Sequence, residues 1–226
     1  MLILGIDTSC ASAGVCLWRD GETVKKIMQA DKRTHSVKLL PEIQVLLSSE
    51  NIQPEQLDLI AVTIGPGSFT GVRIGGSTAK TLAYAIGKPV VGVGTLDVLC
   101  RSGSGAAESK RTLSLIDARN LRAYGCLYSG GGAVMAAKVD KVSALFNELP
   151  REFEGKTIRV CGDVILNEGI MNVLTACEQF RFVPDQEAIY PDPAAVARIG
   201  YEKYCACEDK TRFTPSSLRF DYMKDW

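Results

Sequence analysis

A chain of 226 residues, 46% hydrophobic and 23% charged, holds enough apolar material for one large domain or two small lobes without disulfide or metal staples. Its 26 basic and 26 acidic residues cancel, so a dominant electrostatic grip on nucleic acid is not indicated. A single histidine, His35, excludes any site built on two histidines.

Leu2–Asp7 (LILGID) predicts a buried strand, and Ala13–Arg19 a second that ends on the hairpin signal Asp20-Gly21. Thr23–Ala30 completes a β-meander. At Ser36–Ser49 the apolar period becomes helical, with Pro41 acceptable only in a first turn. Leu57–Ile64 is a strand, GPGSFTG a loop, and Val72–Ile86 a helix stopped by Gly87. Pro89–Val93 adds a strand, and Thr95–Cys100 a helix capped by Thr95. After the small polar stretch Ser102–Ser109, strands are predicted at Thr112–Ala118, Ala123–Tyr128, Thr157–Cys161 and Phe180–Val183. Helices follow at Lys141–Glu148 and Pro193–Cys205. The order predicts an α/β fold of mixed sheets flanked by helices, in two related lobes. These are residues 1–101 and a smaller 102–226, with the C-terminal helix able to pack back on the first.

Eight cysteines, none in a CxxC pair and most in apolar runs, are expected to be reduced core residues. The opening strand carries no signal-peptide pattern, and no apolar run approaches bilayer length. The expectation is a soluble cytoplasmic protein.

Gly65–Gly75 (GPGSFTGVRIG) carries the most information. Its glycines permit close backbone approach, Ser68 or Thr70 can cap the helix behind it, and a helix N-terminus attracts anions. The spacing is neither the dinucleotide fingerprint nor a P-loop. Asp7-Thr8-Ser9, with Gly67 and Ser68, therefore forms a candidate phosphate loop, and a plain strand-to-helix turn is the alternative. Gly71, Gly75, Ala79 and Ala83 recur every four residues, a small-residue stripe that suits close helix packing inside the molecule or between subunits. Asp117-Ala-Arg119 reads as an ion pair at a hairpin or as a contact for a ligand or partner.

Ile3–Ser9, His35-Ser36 with Leu40-Pro41, Gly65–Gly75, Gly92–Leu96, Ile116–Arg119 and Leu218-Arg219 occur in order along the chain. Together they resemble the TsaB (YeaZ) family of the actin-like ATPase superfamily, related to the glycoprotease peptidases. The resemblance implies two actin-like lobes and a part in making N6-threonylcarbamoyladenosine in tRNA. The implied part is that of a non-catalytic accessory subunit without a catalytic metal. Its implied partners are a TsaD-like paralogue, which is the catalyst, and a TsaE-like ATPase; alone it forms a homodimer, and it meets tRNA only indirectly. Docking is implied through the helices Ser36–Ser49 and Gly71–Ile86. The contact residues would be Val37, Leu40 and Ile43 on the first, and Gly71, Ile74, Gly75, Thr78, Ala79, Leu82 and Ala83 on the second. No cofactor is implied beyond ATP or ADP at a shared interface; the alternative is an actin-like ATPase acting independently. Arg122 stands where the family has an acid, and Gly162-Asp163 is a weak stand-in for a nucleotide-cradling glycine pair.

Overall fold

The computed structural model describes residues 1–29, 35–103, 105 and 110–223. Ala30, the predicted end of the third strand, and most of Ser102–Ser109 fall outside them, as do the side chains of His35 and Ser36.

The chain divides into two compact units, Met1–Val98 with Pro191–Tyr222, and Leu99–Tyr190 with Met223–Trp226. The first is built on strands β1 (Leu2–Asp7), β2 (Ala13–Arg19), β3 (Glu22–Gln29), β4 (Leu59–Thr63) and β5 (Val90–Val93). They lie in the order β3-β2-β1-β4-β5. β1 pairs antiparallel with β2 and parallel with β4, so it is the central strand and is buried along its whole length. Its side chains alternate between two faces. Leu2, Leu4 and Ile6 join one core with helices α1 (His35–Ser49) and α2 (Phe69–Ile86); Ile3 joins the other with α3 (Thr95–Cys100) and α6 (Pro193–Ala206). Gly5 is required by that second face: a Cβ there would lie 2.2 Å from the Pro193 carbonyl oxygen.

The second unit holds β6 (Arg111–Asp117), β7 (Arg122–Ser129), β8 (Gly132–Lys141), β9 (Thr157–Cys161) and β10 (Arg181–Pro184) in the order β10-β9-β6-β7-β8. Counted from each unit's first strand, this is the same topology as the first sheet, a meander followed by two parallel strands. Helices α4 (Val142–Phe146) and α5 (Glu168–Thr175) share its core. Arg159 on β9 is buried and ion-paired to Asp185 at 2.8 Å, and it also donates to the carbonyls of Cys100 and Ser102.

The sequence reading assigns 102–226 to the second lobe with the C-terminal helix able to pack back on the first; in the structure residues 191–222 group with the first unit, because the apolar side of α6 covers the sheet there. Three local readings also change. Pro41 lies in the second turn of α1, where it cannot donate to the Val37 carbonyl, but this side of the helix faces solvent. Thr95 does not cap α3; its buried Oγ1 has no hydrogen bond, and Val98 N–H bonds to the Gly94 carbonyl instead. β8 and α5 are additional to the predicted elements.

Candidate functional site

Asp7 ends the central strand, and the turn after it is closed from above by the glycine loop. Its Oδ1 accepts from Ser9 Oγ at 2.6 Å, Thr63 Oγ1 at 2.7 Å and Ser9 N–H at 3.2 Å, while Oδ2 has no partner. Burial pushes the carboxyl up from 3.8 to about 6, against the downward pull of those hydrogen bonds. Ser68 N–H donates to the Ser9 carbonyl at 2.7 Å, and Thr8 Oγ1 donates to the Gly71 carbonyl at 2.7 Å. Ser68 caps α2, its Oγ accepting from Gly71 N–H. A Cβ on Gly67 would lie 2.3 Å from the Ser9 carbonyl oxygen, and one on Gly71 2.0 Å from that of Thr8.

Asp7, Thr8, Ser9, Gly67 and Ser68 do come together: Ser68 N–H is engaged by the Ser9 carbonyl, Gly71 N–H by the Ser68 cap, and Gly67 and Gly71 lie against the backbone of the turn. The five residues make a closed joint that fixes where α2 starts.

The small-residue stripe belongs to the same joint. Gly71 and Gly75 lie on Thr8, and Ala79 and Ala83 are fully buried in the first core. Ile43 is buried there too. Those five residues are buried within the folded unit, and α2 is small on this face because strand ends run directly beneath it.

Other positions on the two helices point outwards. α1 carries two apolar stripes: Leu39, Ile43, Leu46 and Leu47 enter the core, while Val37, Leu40 and Val45 are 73%, 60% and 56% exposed. An α1 seated on the sheet needs only the first. On α2, Tyr84 is 82% exposed, Ser77, Thr81 and Ala85 are exposed, and Ile74, Thr78 and Leu82 are half-buried. α1 and α2 pack against one another. Val45 and Tyr84 escape a reading that follows one stripe per helix; the signal was the second apolar stripe of α1.

In the second unit Asp117 is held by hydrogen bonds to the backbone and to an amide. Its Oδ1 accepts from Arg119 N–H at 2.7 Å and its Oδ2 from Asn167 Nδ2 at 2.9 Å, while Asp163 accepts from Asp117 N–H. Arg119, Asn120 and Leu121 are consecutive left-handed residues, so the loop turns tightly, and Arg122 is exposed at the start of β7. Among the described residues no helix is long and apolar enough to cross a membrane, and no group of three or more His, Cys, Asp or Glu could hold a metal ion.

The model of the TsaD family, tRNA N6-adenosine threonylcarbamoyltransferase, matches residues 24–214. The tRNA threonylcarbamoyladenosine biosynthesis protein TsaB of Bacillus subtilis (strain 168) is 29% identical over 222 residues, covering 97% of this chain and 94% of that protein. This chain belongs to that family, in its TsaB (YeaZ) branch. The TsaB of Escherichia coli (strain K12) is 37% identical over 128 residues, 57% of this chain and 55% of its own. YeaZ from Pseudomonas aeruginosa superposes with a TM-score of 0.76 at 22% identity, over 98% of this chain and 99% of its own. A ROK hexokinase from Thermus thermophilus shares the fold alone, with a TM-score of 0.51 at 12% identity over 92% and 100% of the two chains. The TsaB fold is thus the two-sheet α/β architecture described above.

Proposed function

We propose that this TsaB-family chain serves the biosynthesis of threonylcarbamoyladenosine in tRNA as an accessory subunit, docking a TsaD-type protein through the exposed faces of α1 and α2. The observation that carries the reading is the second apolar stripe of α1, Val37, Leu40 and Val45, left uncovered, as Tyr84 is on α2. An uncovered apolar surface of this kind marks an interaction site more often than an accident of composition. The contact residues in this reading are Val37, Leu40 and Val45 on α1, and Ile74, Thr78, Leu82 and Tyr84 on α2. A TsaE-type ATPase joins the pair, two copies of this chain cover the same faces when no partner is present, and nucleotide enters only at an interface shared with the partner. The joint at Asp7 favours an accessory role over independent ATP hydrolysis, because Ser68 N–H and Gly71 N–H are already engaged there by the Ser9 carbonyl and the Ser68 cap.

Co-expression with the TsaD-type protein of the same organism, followed by sizing, tests the reading. The wild-type chain is expected to elute as a complex. Leu40→Asp places a charge in the centre of the surface without touching the core and is expected to weaken the complex by a hundredfold or more, roughly the loss of a hot spot. A Leu40→Asp chain that still co-elutes fully contradicts the docking surface.

A further inference from the structure

Among the described side chains of α1 and α2, the charged ones outside the core are all cations. α2 contains two cations, Arg73 and Lys80, and no carboxylate in its eighteen residues. α1 contributes Lys38, and its single acid, Glu42, is buried and so absent from the exposed face.

The α2 cations are held in place by the chain's last described segment. Leu218 packs into the first core, and Asp221 N–H donates to the Ile64 carbonyl at 2.8 Å, so residues 218–222 run beside the glycine loop. Three glycines seat this strap. A Cβ on Gly65 would lie 1.9 Å from the Asp221 carbonyl oxygen, one on Gly76 2.1 Å from the Phe220 ring, and one on Gly92 3.0 Å from Leu218. Arg73 lies 3.9 Å from the ring centroid of Phe69 on its own helix and 5.7 Å from that of Tyr222 on the strap, and its Nε donates to Tyr222 Oη at 3.0 Å. Lys80 lies 5.3 Å from the Phe220 ring. Rings hold a guanidinium or ammonium by its face and leave its charge available outward. Arg219 and Asp221 on the strap are both exposed and of opposite sign.

We infer that the strap-held cations Arg73 and Lys80 form a recognition edge for a protein partner whose contact face is apolar at its centre and carries carboxylates opposite this edge. The inference rests on the docking surface proposed above and names the chemistry of its occupant. A second copy of this chain would bring Arg73 and Lys80 to the contact again, with no exposed carboxylate on either helix to meet them. A nucleic acid would match the edge but would leave Val37 and Leu40 uncovered. Rim charges act chiefly on association rate and salt dependence, which is where this edge should be read.

The test measures the affinity of the full chain for the TsaD-type protein at about 0.05 M and about 0.5 M salt. Wild type is compared with Lys80→Gln, Arg73→Gln, Tyr222→Phe and Leu40→Asp. Lys80→Gln and Arg73→Gln should each bind about two- to fivefold more weakly at low salt and lose most of that difference at high salt, as for solvent-facing ion pairs. Tyr222→Phe keeps both charge and rings and should bind as wild type. If wild type binds, Leu40→Asp does not, and neither salt nor the glutamine variants alter affinity, the edge is wrong while the docking surface stands. If wild type fails to bind at either salt, the docking reading itself fails. Loss in Tyr222→Phe equal to that in Arg73→Gln would assign the effect to strap position and overturn the inference. So would self-association of the wild-type chain that strengthens at low salt, or tRNA binding by the chain alone that Lys80→Gln abolishes.

Discussion

Asp7 shows how burial and hydrogen bonding compete at one residue. Three donors converge on Oδ1, but Oδ2 has no partner and the residue has no exposure, so burial prevails and the carboxyl titrates near 6. A folded-state value above the ordinary 3.8 means that the native state holds the proton more tightly than the unfolded chain. Stability from this group is then fully present below about pH 4 and falls as pH rises towards 6, by an amount on the order of 3 kcal/mol. Asp7→Asn keeps the shape and removes the titration. Urea unfolding of both proteins from pH 4 to 7 should show the variant gaining on wild type as pH rises, and a constant difference would contradict this account. Buried thiols behave in the same sense: Cys16 and Cys161 are pushed up to about 12 by burial, so they remain thiols at neutral pH.

At the scale of elements, α2 presents three faces: one on the joint and core, one under the strap and one in solvent. The sequence showed that the helix is narrow along Gly71, Gly75, Ala79 and Ala83 but not what approaches it. A small-residue stripe has the same periodicity whether a strand end or another subunit fills it. The distinction has a sign that can be measured. Replacing a helical glycine by alanine stabilises by up to about 1 kcal/mol when the site is open. At Gly71 the new Cβ would meet the Thr8 carbonyl oxygen at 2.0 Å, a backbone atom that cannot rotate away, so Gly71→Ala should lower stability by about 1–3 kcal/mol. Ser77→Ala, on the exposed face of the same helix, should be neutral or slightly stabilising. A stabilised Gly71→Ala would contradict the buried stripe. The elements hardest to read were those with weak patterns. β8 is rich in glycine and alanine and mostly exposed, so it shows no clean alternation; α5 spans only eight residues, and its start depends on the Asn167 cap.

At the scale of the molecule, the chain uses one topology twice, and the repetition was legible because each half opens with a meander and then alternates elements. The return of 191–222 to the first unit was legible only as a C-terminal helix able to pack back, since α6 is weakly amphipathic as a sequence; its seat depends on Gly5 and Gly200, which let it lie directly on β1 and β4. Of the proposed docking surface, the two helices were legible as helices, whereas which of their faces is exposed required the structure.

Tyr84 gives the most direct test, because it is 82% exposed and holds no part of the fold. Its rate of hydroxyl-radical oxidation can be followed by mass spectrometry in the chain alone, under conditions where it is monomeric, and in the complex with the TsaD-type protein. The account predicts severalfold protection of Tyr84 together with Leu40 in the complex, as expected for side chains losing their solvent contact. A stable complex in which both residues oxidise at the free rate would contradict it.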